Sequence, residues 1–207
     1  MSKKLSKRKP GRPKATDTTS TMEHILRTAA SLFMKHGYEN VSLSSVAETC
    51  EVTKASVYYY FHNKSELFTK CIVFVLSIAY GRSKLILSGE GTLRERLKQV
   101  AIGRMRNSNA EFETMMREAS PHLTDEQLHD IRRSERALYE LLVEHLRKGI
   151  DNGELRDCDP LLAAHLFTSA MMIRNRQEVM QHFADTEQLA EHIVDTLFRG
   201  LQGERSL

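Results

Sequence analysis

The residues best suited to binding chemistry lie in one short run, from Thr53 to Phe61. Its second turn carries three consecutive tyrosines, and a phenol has an apolar ring and a hydroxyl that can donate to a phosphate oxygen. Lys54 can reach guanine O6 or N7, and Ala55 can contact a thymine methyl group. On a helix, Val57 and Phe61 share one buried face while the tyrosines spread around the circumference. We expect one tyrosine to pack against neighbouring helices and at least one other to contact phosphate.

Three residues with short polar side chains, Ser42, Thr53 and Asn63, predict the starts of three closely spaced helices. A valine precedes each of the first two caps and another follows four residues after it, which is the pattern of a hydrophobic staple. Glu66, three residues after Asn63, predicts a capping box. A longer helix over residues 21–36 comes before them. Because only a three-residue turn separates the second and third helices, they form a helix-turn-helix candidate.

Phosphate could also bind at the starts of two of these helices. Lys64 opens the fourth helix, where the helix dipole disfavours a cation unless a phosphate docks there. The free N–H groups that follow Ser42 and Ser44 could hold another phosphate. The candidate DNA contacts are therefore Ser42, Ser44, Thr53, Lys54, Ala55, Ser56, Tyr58, Tyr59, Tyr60 and Lys64.

Residues 22–70 resemble the DNA-binding domain of the TetR family of repressors. The resemblance is carried by Ile25-Leu26-Arg27-Thr28-Ala29-Ala30-Ser31-Leu32-Phe33, His36-Gly37-Tyr38, Val41-Ser42-Leu43-Ser44-Ser45-Val46-Ala47, Val52-Thr53-Lys54-Ala55-Ser56-Val57-Tyr58-Tyr59-Tyr60-Phe61 and Lys64-Ser65-Glu66-Leu67. It implies phosphate or base contacts at Ser42, Lys54, Ser56, Tyr58, Tyr59, Tyr60 and Lys64. Glu51 departs from the family, which usually has glycine in that turn, and Ala55 stands where a second glycine is frequent. Glu51 is expected to strain the backbone if the turn needs a positive φ.

The first 20 residues form a basic arm. Seven of the chain's 30 lysines and arginines lie there against one acid, Asp17, although the whole chain carries a net charge of only +3. This composition predicts disorder in the free protein, and charge alone favours a polyanionic partner no more than a solvated tail. Lys9-Pro10-Gly11-Arg12-Pro13-Lys14 resembles the core of an AT-hook, which would lay Arg12 in an A·T-rich minor groove.

The rest of the chain predicts further helices, over residues 92–107, 110–120, 124–150, 160–179 and 186–201. In the TetR family the last two helices pair with those of a second copy, which implies interface residues Leu162, Leu166, Phe167, Leu189, Ile193 and Leu197. The alternative is that one of these apolar stripes only fills the core of a single chain. An effector pocket is expected among the middle helices. Its candidate lining residues, each of which also fits an ordinary core position, are Met105, Phe112, Met115, Met116, Tyr139, Leu142 and Met171.

Several function classes find no support in the sequence. It contains no phosphate-cradling glycine loop, GxSxG or HExxH, so no enzyme is predicted. The three cysteines form no CxxC pair and the histidines no HxxxH pair, so we expect no disulfide framework, metal or cofactor. The N-terminus does not resemble a signal peptide, and no apolar stretch approaches the roughly 20 residues that span a bilayer. A soluble, cytoplasmic protein is therefore expected.

These patterns together predict an all-α protein with a basic arm (1–20), an N-terminal three-helix helix-turn-helix domain (21–68) and a helical ligand-binding and dimerisation domain (69–207). The predicted function is that of a homodimeric repressor, released from a palindromic operator by a small, hydrophobic molecule. The alternative is a DNA-bound structural protein of the nucleoid-occlusion type, in which a protein partner replaces the ligand. A closed apolar cavity would favour the first function, and a packed interior with an exposed apolar patch would favour the second.

Overall fold

The computed structural model describes residues 15–107 and 112–201, and within these ranges the chain is helical and contains no β-strand. The predicted all-α class is confirmed. The first helix begins at Ala15, earlier than the predicted residue 21, so the expected disorder of the basic arm is wrong for residues 15–20. The helices are α1 (Ala15–His36), α2 (Leu43–Thr49), α3 (Lys54–Tyr60), α4 (Lys64–Leu87), α5 (Leu93–Asn107), α6 (Phe112–Ala119), α7 (Asp125–Asp151), α8 (Pro160–Ala170), α9 (Gln177–Met180) and α10 (Thr186–Leu201). A 3-10 turn follows α6 at Ser120–His122, and another follows α8 at Met171–Asn175. None of the described helices combines the length and apolar character needed to cross a membrane.

Side-chain caps fix the starts of α2 and α3, as the sequence predicts. Ser42 Oγ accepts a hydrogen bond from the Ser45 N–H (3.0 Å), and Ser45 Oγ accepts one in return from the Ser42 N–H (2.9 Å). Thr53 Oγ1 accepts from the Ser56 N–H at 3.1 Å. These bonds satisfy N–H groups that have no partner within a helix, so each short helix has a defined first residue.

The start of α4 differs in one detail from the predicted capping box. Asn63 Oδ1 accepts from the Glu66 N–H at 2.8 Å, as expected of a cap. The Glu66 carboxylate, however, accepts from the His62 N–H at 2.9 Å rather than from the N–H of Asn63. This backbone hydrogen bond lowers the pKa of Glu66 because it favours the charged carboxylate.

The turn between α2 and α3 places a glutamate in the left-handed region. Glu51 has a φ of 56°, and it is the only residue other than glycine with a positive φ in the described ranges. Its N–H donates to the Glu48 carbonyl (3.1 Å), and the Val52 N–H donates to the Ala47 carbonyl (3.0 Å). Together these are the two hydrogen bonds of a Schellman motif. The strain expected of a side chain in this turn is therefore present.

Two hydrophobic clusters fill the described part of the chain. The first packs α1, α2 and α3 against the first half of α4, and it also takes in Met115, Ala119 and Ile131 from α6 and α7. The second joins the end of α4 to α5, α8, α10 and the second half of α7. Because α4 carries Phe68 into the first cluster and Leu87 into the second, it connects the two ends of the molecule.

The helices after α4 follow the prediction closely except at residues 160–179. Asp159 Oδ1 caps α8 by accepting from the Leu162 N–H at 2.8 Å, and Pro160 occupies the first turn. The prediction of one continuous helix from there to residue 179 is wrong. α8 ends at Ala170, and Arg176 adopts an extended conformation (φ −92°, ψ 112°) that separates the 3-10 turn from α9.

Candidate DNA-binding surface and effector cavity

The α3 helix turns its apolar residues inward and two of its three tyrosines outward. Val57 and Phe61 are buried, whereas Tyr58 and Tyr59 are 52% and 76% exposed. Tyr60 is half-buried and packs against the first hydrophobic cluster. Its ring meets that of Tyr59 edge to face, with the centroids 5.1 Å apart. Contact between the two exposed phenols and phosphate stays a prediction.

The first turns of α2 and α3 hold the other predicted contacts, which are Ser42, Ser44, Thr53, Lys54, Ala55 and Ser56. Three of their hydroxyls have partners inside the chain, because Thr53 Oγ1 and Ser56 Oγ lie 2.9 Å apart and the Ser42 hydroxyl belongs to the α2 cap. Lys54 is exposed, and no ion pair joins it to the described residues. A hydroxyl has one donor and two acceptor positions, so these groups can stabilise the helix starts and still meet a ligand.

Lys64 lies at the start of α4 as predicted, but it has partners within the chain. Its Nζ donates to the Glu39 carbonyl at 3.0 Å and lies 4.3 Å from the centroid of the Tyr38 ring. Burial lowers the pKa of Lys64, while the nearby carboxylates of Glu39 and Glu118 oppose that shift. Sequence spacing does not reveal the contact with Glu39, because Glu39 is 25 residues away along the chain. Arg12, the predicted minor-groove contact, lies outside the described residues.

A cavity of about 300 Å³ opens between α6 and α7. Its lining residues are Phe112, Met116, Ser120, Leu128, Ile131, Arg132 and Glu135. Four of these side chains are apolar. Arg132 and Glu135 supply a positive and a negative group, and burial raises the pKa of Glu135 although Arg132 opposes the rise. The cavity can therefore hold a compact molecule with an apolar body and a polar end.

The structure does not bring the seven predicted effector-binding residues together. Phe112 and Met116 line the cavity, while Met115 is buried in the first hydrophobic cluster. Tyr139 is half-buried, and its ring stacks on that of His165 with the centroids 4.4 Å apart. The remaining three are buried in the second cluster, and they are Met105, Leu142 and Met171. The α7 side of the cavity was missed, although Leu128, Ile131 and Glu135 share one helix face at spacings of three and four.

The residues predicted for the dimer interface divide into two groups. Leu162 and Leu166 are 59% and 49% exposed on the outer side of α8. The other four pack within the chain itself, as the alternative in the sequence analysis allowed, and they are Phe167, Leu189, Ile193 and Leu197. Leu161, next to Leu162 in α8, and Ile173, in the 3-10 turn after α8, are also exposed. We call the surface formed by Leu161, Leu162, Leu166 and Ile173 the α8 face.

The described residues do not contain a cluster suited to a metal ion. Nowhere among them do three or more histidine, cysteine, aspartate or glutamate side chains converge. Cys50 and Cys71 are buried, whereas Cys158 is half-buried in the connection before α8. Burial raises the pKa of Cys71 far above its usual range, because the thiolate is disfavoured away from water.

Two family models match the chain. Residues 25–71 match the model of bacterial regulatory proteins of the tetR family, and residues 90–176 match the tetracyclin repressor-like C-terminal domain. The chain is 37% identical over 79 residues to the HTH-type transcriptional repressor NemR of Escherichia coli K12, a match that covers 37% of this chain and only 39% of NemR. It is 25% identical over 142 residues to the uncharacterized HTH-type transcriptional regulator YhgD of Bacillus subtilis, covering 68% of this chain and 74% of YhgD.

Solved structures share the fold over nearly the whole chain. A TetR/AcrR-family regulator from Thermobifida fusca has a TM-score of 0.63 and 25% identity, covering 89% of this chain and 100% of that one. The reduced form of E. coli NemR has a TM-score of 0.71 and 22% identity over 90% of this chain and 100% of NemR, which shows likeness of fold. The model of the N-terminal domain and the model of the C-terminal domain both match this chain, and they match in that order along the sequence. The chain therefore belongs to the TetR family of bacterial regulatory proteins.

Proposed function

We propose that the chain is a repressor that binds a palindromic operator as a homodimer and is released by a small molecule. Residues 21–68 serve as the DNA-binding domain and residues 69–207 bind the effector and the second copy. The basic arm of residues 1–20, whose last six residues belong to α1, adds contacts to DNA. The observation that carries the proposal is the outward face of α3, where two tyrosines and a lysine stand exposed on a helix held by a buried opposite face. Acting on chromosomal DNA, the protein works in the cytoplasm.

The exposed tyrosines support contact with DNA rather than with water. Tyr58 and Tyr59 leave large apolar rings in solvent although neighbouring positions are buried, and a protein surface seldom leaves adjacent rings uncovered without use. Along a DNA backbone the ring packs against sugar while the hydroxyl donates to phosphate. Lys54, one turn earlier, is placed to reach the base edges in the major groove.

The α8 face supports a homodimer. Its four apolar side chains are exposed on α8 and on the 3-10 turn after it, and a second copy would remove them from water. One helix-turn-helix covers only half of a palindromic site, and twofold pairing spaces two recognition helices about 34 Å apart. We therefore place the interface on the outer side of α8, since Phe167 on its inner side already packs in the core.

The cavity between α6 and α7 supports a small effector. Its volume of about 300 Å³ is at the low end of the range for ligand pockets, so the molecule that fills it is compact. The apolar lining favours a hydrophobic body, and Arg132 and Glu135 favour one polar group beside it. Effector binding then shifts α4 and changes the separation of the two recognition helices. By linkage, operator binding must weaken effector binding by the same factor.

The alternative role, that of a DNA-bound structural protein with a protein partner, receives less support. The cavity is open to solvent and partly polar rather than closed and apolar, but it has room for a small ligand that such a protein does not need. The exposed apolar patch that would favour a protein partner coincides with the α8 face, and a second copy of the chain accounts for it. If the protein sediments as a monomer at micromolar concentration, a second copy does not cover the α8 face. The face would then be available to another protein, which would favour this alternative.

Selection from a random duplex library followed by fluorescence anisotropy tests the proposal. Wild type should select a palindrome and bind it with strong salt dependence. Tyr59→Phe, which removes only the hydroxyl, should weaken binding of the dimer by about a hundredfold or more, because a hydrogen bond to a charged phosphate is lost from each subunit. Lys54→Ala should weaken binding at least as much. Lys84→Ala, at an exposed position near the far end of α4, is the matched control and should bind as wild type does.

Two outcomes would contradict the proposal. If no sequence is enriched over the random pool, the proposal that the protein binds a specific operator would be wrong. Equal losses in Lys54→Ala and Lys84→Ala would show that binding follows net charge alone and that α3 does not read the DNA.

A further inference from the structure

Residues from α6 and the turn after it meet the turn that leads from α1 to α2. Glu118 Oε2 accepts a hydrogen bond from the Tyr38 N–H at 3.0 Å. His122 Nε2 lies 2.9 Å from Glu39 Oε1, and its ring stacks on that of Tyr38 with a centroid distance of 5.4 Å and an interplanar angle of 20°. We call these four residues the α6 joint. It is a direct connection between the effector half and the DNA-binding half that does not pass through α4.

The α6 joint extends to the start of α4 through Lys64. The two residues that contact α6 are the same two that hold this lysine, since its Nζ donates to the Glu39 carbonyl and lies over the Tyr38 ring. Tyr38 is itself buried and meets Phe33 and Phe68 through its ring. A displacement of Tyr38 therefore changes the position of Lys64, which is one of the proposed phosphate contacts.

On its other side, the α6 joint adjoins the effector cavity. Met116 and Ser120 line the cavity, while Glu118 and His122 bind the turn after α1. Residues two apart on a helix point in roughly opposite directions, because each residue advances the helix by about 100°. The Ser120 hydroxyl donates to the Met116 carbonyl at 2.7 Å, which ties the cavity side of this segment together. A molecule that presses on the cavity wall thus displaces the opposite face.

The α6 joint also reaches Gly37, the residue that follows α1. Gly37 has a φ of 78°, and a Cβ atom built there would lie 2.8 Å from Glu118 Oε2. Met115 and Ala119, on the same side of α6 as the joint, are buried in the first hydrophobic cluster. The helix is thus held against the DNA-binding half by apolar packing as well as by the polar contacts.

We propose that Glu118 and His122 are positioning residues for the DNA-binding half, and that they transmit the state of the cavity to Lys64. The inference rests on the proposed function, since it assigns a role in operator binding. The joint is breakable, because His122 and Glu39 are each more than half exposed and exposed ion pairs contribute little. Contacts that a modest displacement can break are suited to a switch, whereas the buried cluster beside them preserves the fold.

The first experiment measures operator binding by variants of the joint. Glu118→Ala removes the acceptor for the Tyr38 N–H and should weaken binding about threefold to tenfold, the equilibrium equivalent of one hydrogen bond. Glu118→Gln, which keeps an acceptor oxygen, should recover most of the loss. Glu126→Ala, an exposed acid in the first turn of α7, is the matched control. In a Lys64→Ala background, Glu118→Ala should add less than about twofold, because the residue it positions is gone.

The second experiment fills the cavity without requiring an identified effector. Leu128→Trp adds a ring from the α7 side and should weaken operator binding about tenfold, as an effector would. In a Glu118→Ala, His122→Ala background the same substitution should act less than about twofold. Thermal unfolding of every variant separates this effect from loss of the fold. An equal effect of Leu128→Trp in both backgrounds, or no effect in either, would overturn the inference.

A third measurement needs no DNA. Hydrogen exchange of the Tyr38 amide should be about tenfold faster in Leu128→Trp than in wild type, because the hydrogen bond to Glu118 is loosened. Exchange at the wild-type rate would overturn the inference even if an operator were found. Conversely, faster exchange in a protein that selects no operator would contradict the proposed function and leave the mechanical connection standing.

Discussion

Replacing Glu51 by glycine should stabilise the protein. Glu51 is held at a φ of 56°, where a side chain costs about 1 to 2 kcal/mol through contact of Cβ with the following carbonyl. Glycine avoids this contact but loses about 0.5 to 1 kcal/mol more conformational entropy on folding. The difference is a gain of about 0.5 to 1 kcal/mol. For a chain of this size that corresponds to a rise in Tm of about 1 to 4 °C.

Two control variants separate this backbone effect from the loss of the side chain. Glu51→Ala removes the carboxylate but keeps Cβ, so its stability should equal that of wild type. Glu48→Gly removes an exposed glutamate from the right-handed part of α2 and should destabilise by about 1 kcal/mol. Urea unfolding followed by circular dichroism at one protein concentration measures all three. A Glu51→Gly variant no more stable than Glu51→Ala would refute the strain argument.

Three further predictions concern the C-terminal half and the thiols. Asp159→Ala removes the cap of α8 and should lower the free energy of unfolding by about 1 kcal/mol in the same urea assay. Arg104 is largely withdrawn from water, has no ion pair with the described residues, and has its pKa lowered by burial. Arg104→Met should therefore raise Tm, and a fall would show that the guanidinium has a stabilising partner. In the native protein a thiol reagent should label Cys158 first. Cys71 should be labelled only on unfolding, because burial disfavours its thiolate. Fast labelling of Cys71 in the native protein would contradict its burial.

The features that the sequence predicts well are local ones. Ser42, Thr53 and Asn63 cap helices because each bond joins a side chain to an N–H three residues away, so spacing alone identifies it. The strained turn at Glu51 was anticipated from the family resemblance, because the TetR family usually has glycine in that turn. The outward placement of Tyr58 and Tyr59 follows from helical periodicity once Val57 and Phe61 are assigned to the core.

The features that the sequence analysis missed depend on contacts between distant segments. The partners of Lys64 come from the turn after α1, and the contact of Glu118 with Tyr38 spans 80 residues. Periodicity shows that α8 has an apolar stripe but cannot tell which part of it faces inward, so Phe167 was grouped with Leu162. The effector cavity is the space that α6 and α7 leave between them, and no single stretch of sequence encodes it.

The break after Ala170 was missed for a related reason. The run from Met171 to Ile173 is apolar enough to continue a helix, and no proline or glycine interrupts it before Arg176. In the structure, Met171 is buried in the second cluster while Met172 and Ile173 are exposed, so the tighter 3-10 turn changes which residues reach the core. Propensity was overridden by packing, which a single sequence does not reveal.

The first hydrophobic cluster bears on the construction of hybrid regulators, in which the specificity module of one protein is grafted onto the sensor of another. Met115, Ala119 and Ile131 complete a core that otherwise belongs to α1, α2, α3 and the start of α4. A graft cut at residue 68 would therefore place foreign side chains in that core and leave a void or a clash. A functional hybrid must therefore be divided by three-dimensional contacts rather than at one point in the sequence. These three residues must come from the same parent as the grafted module.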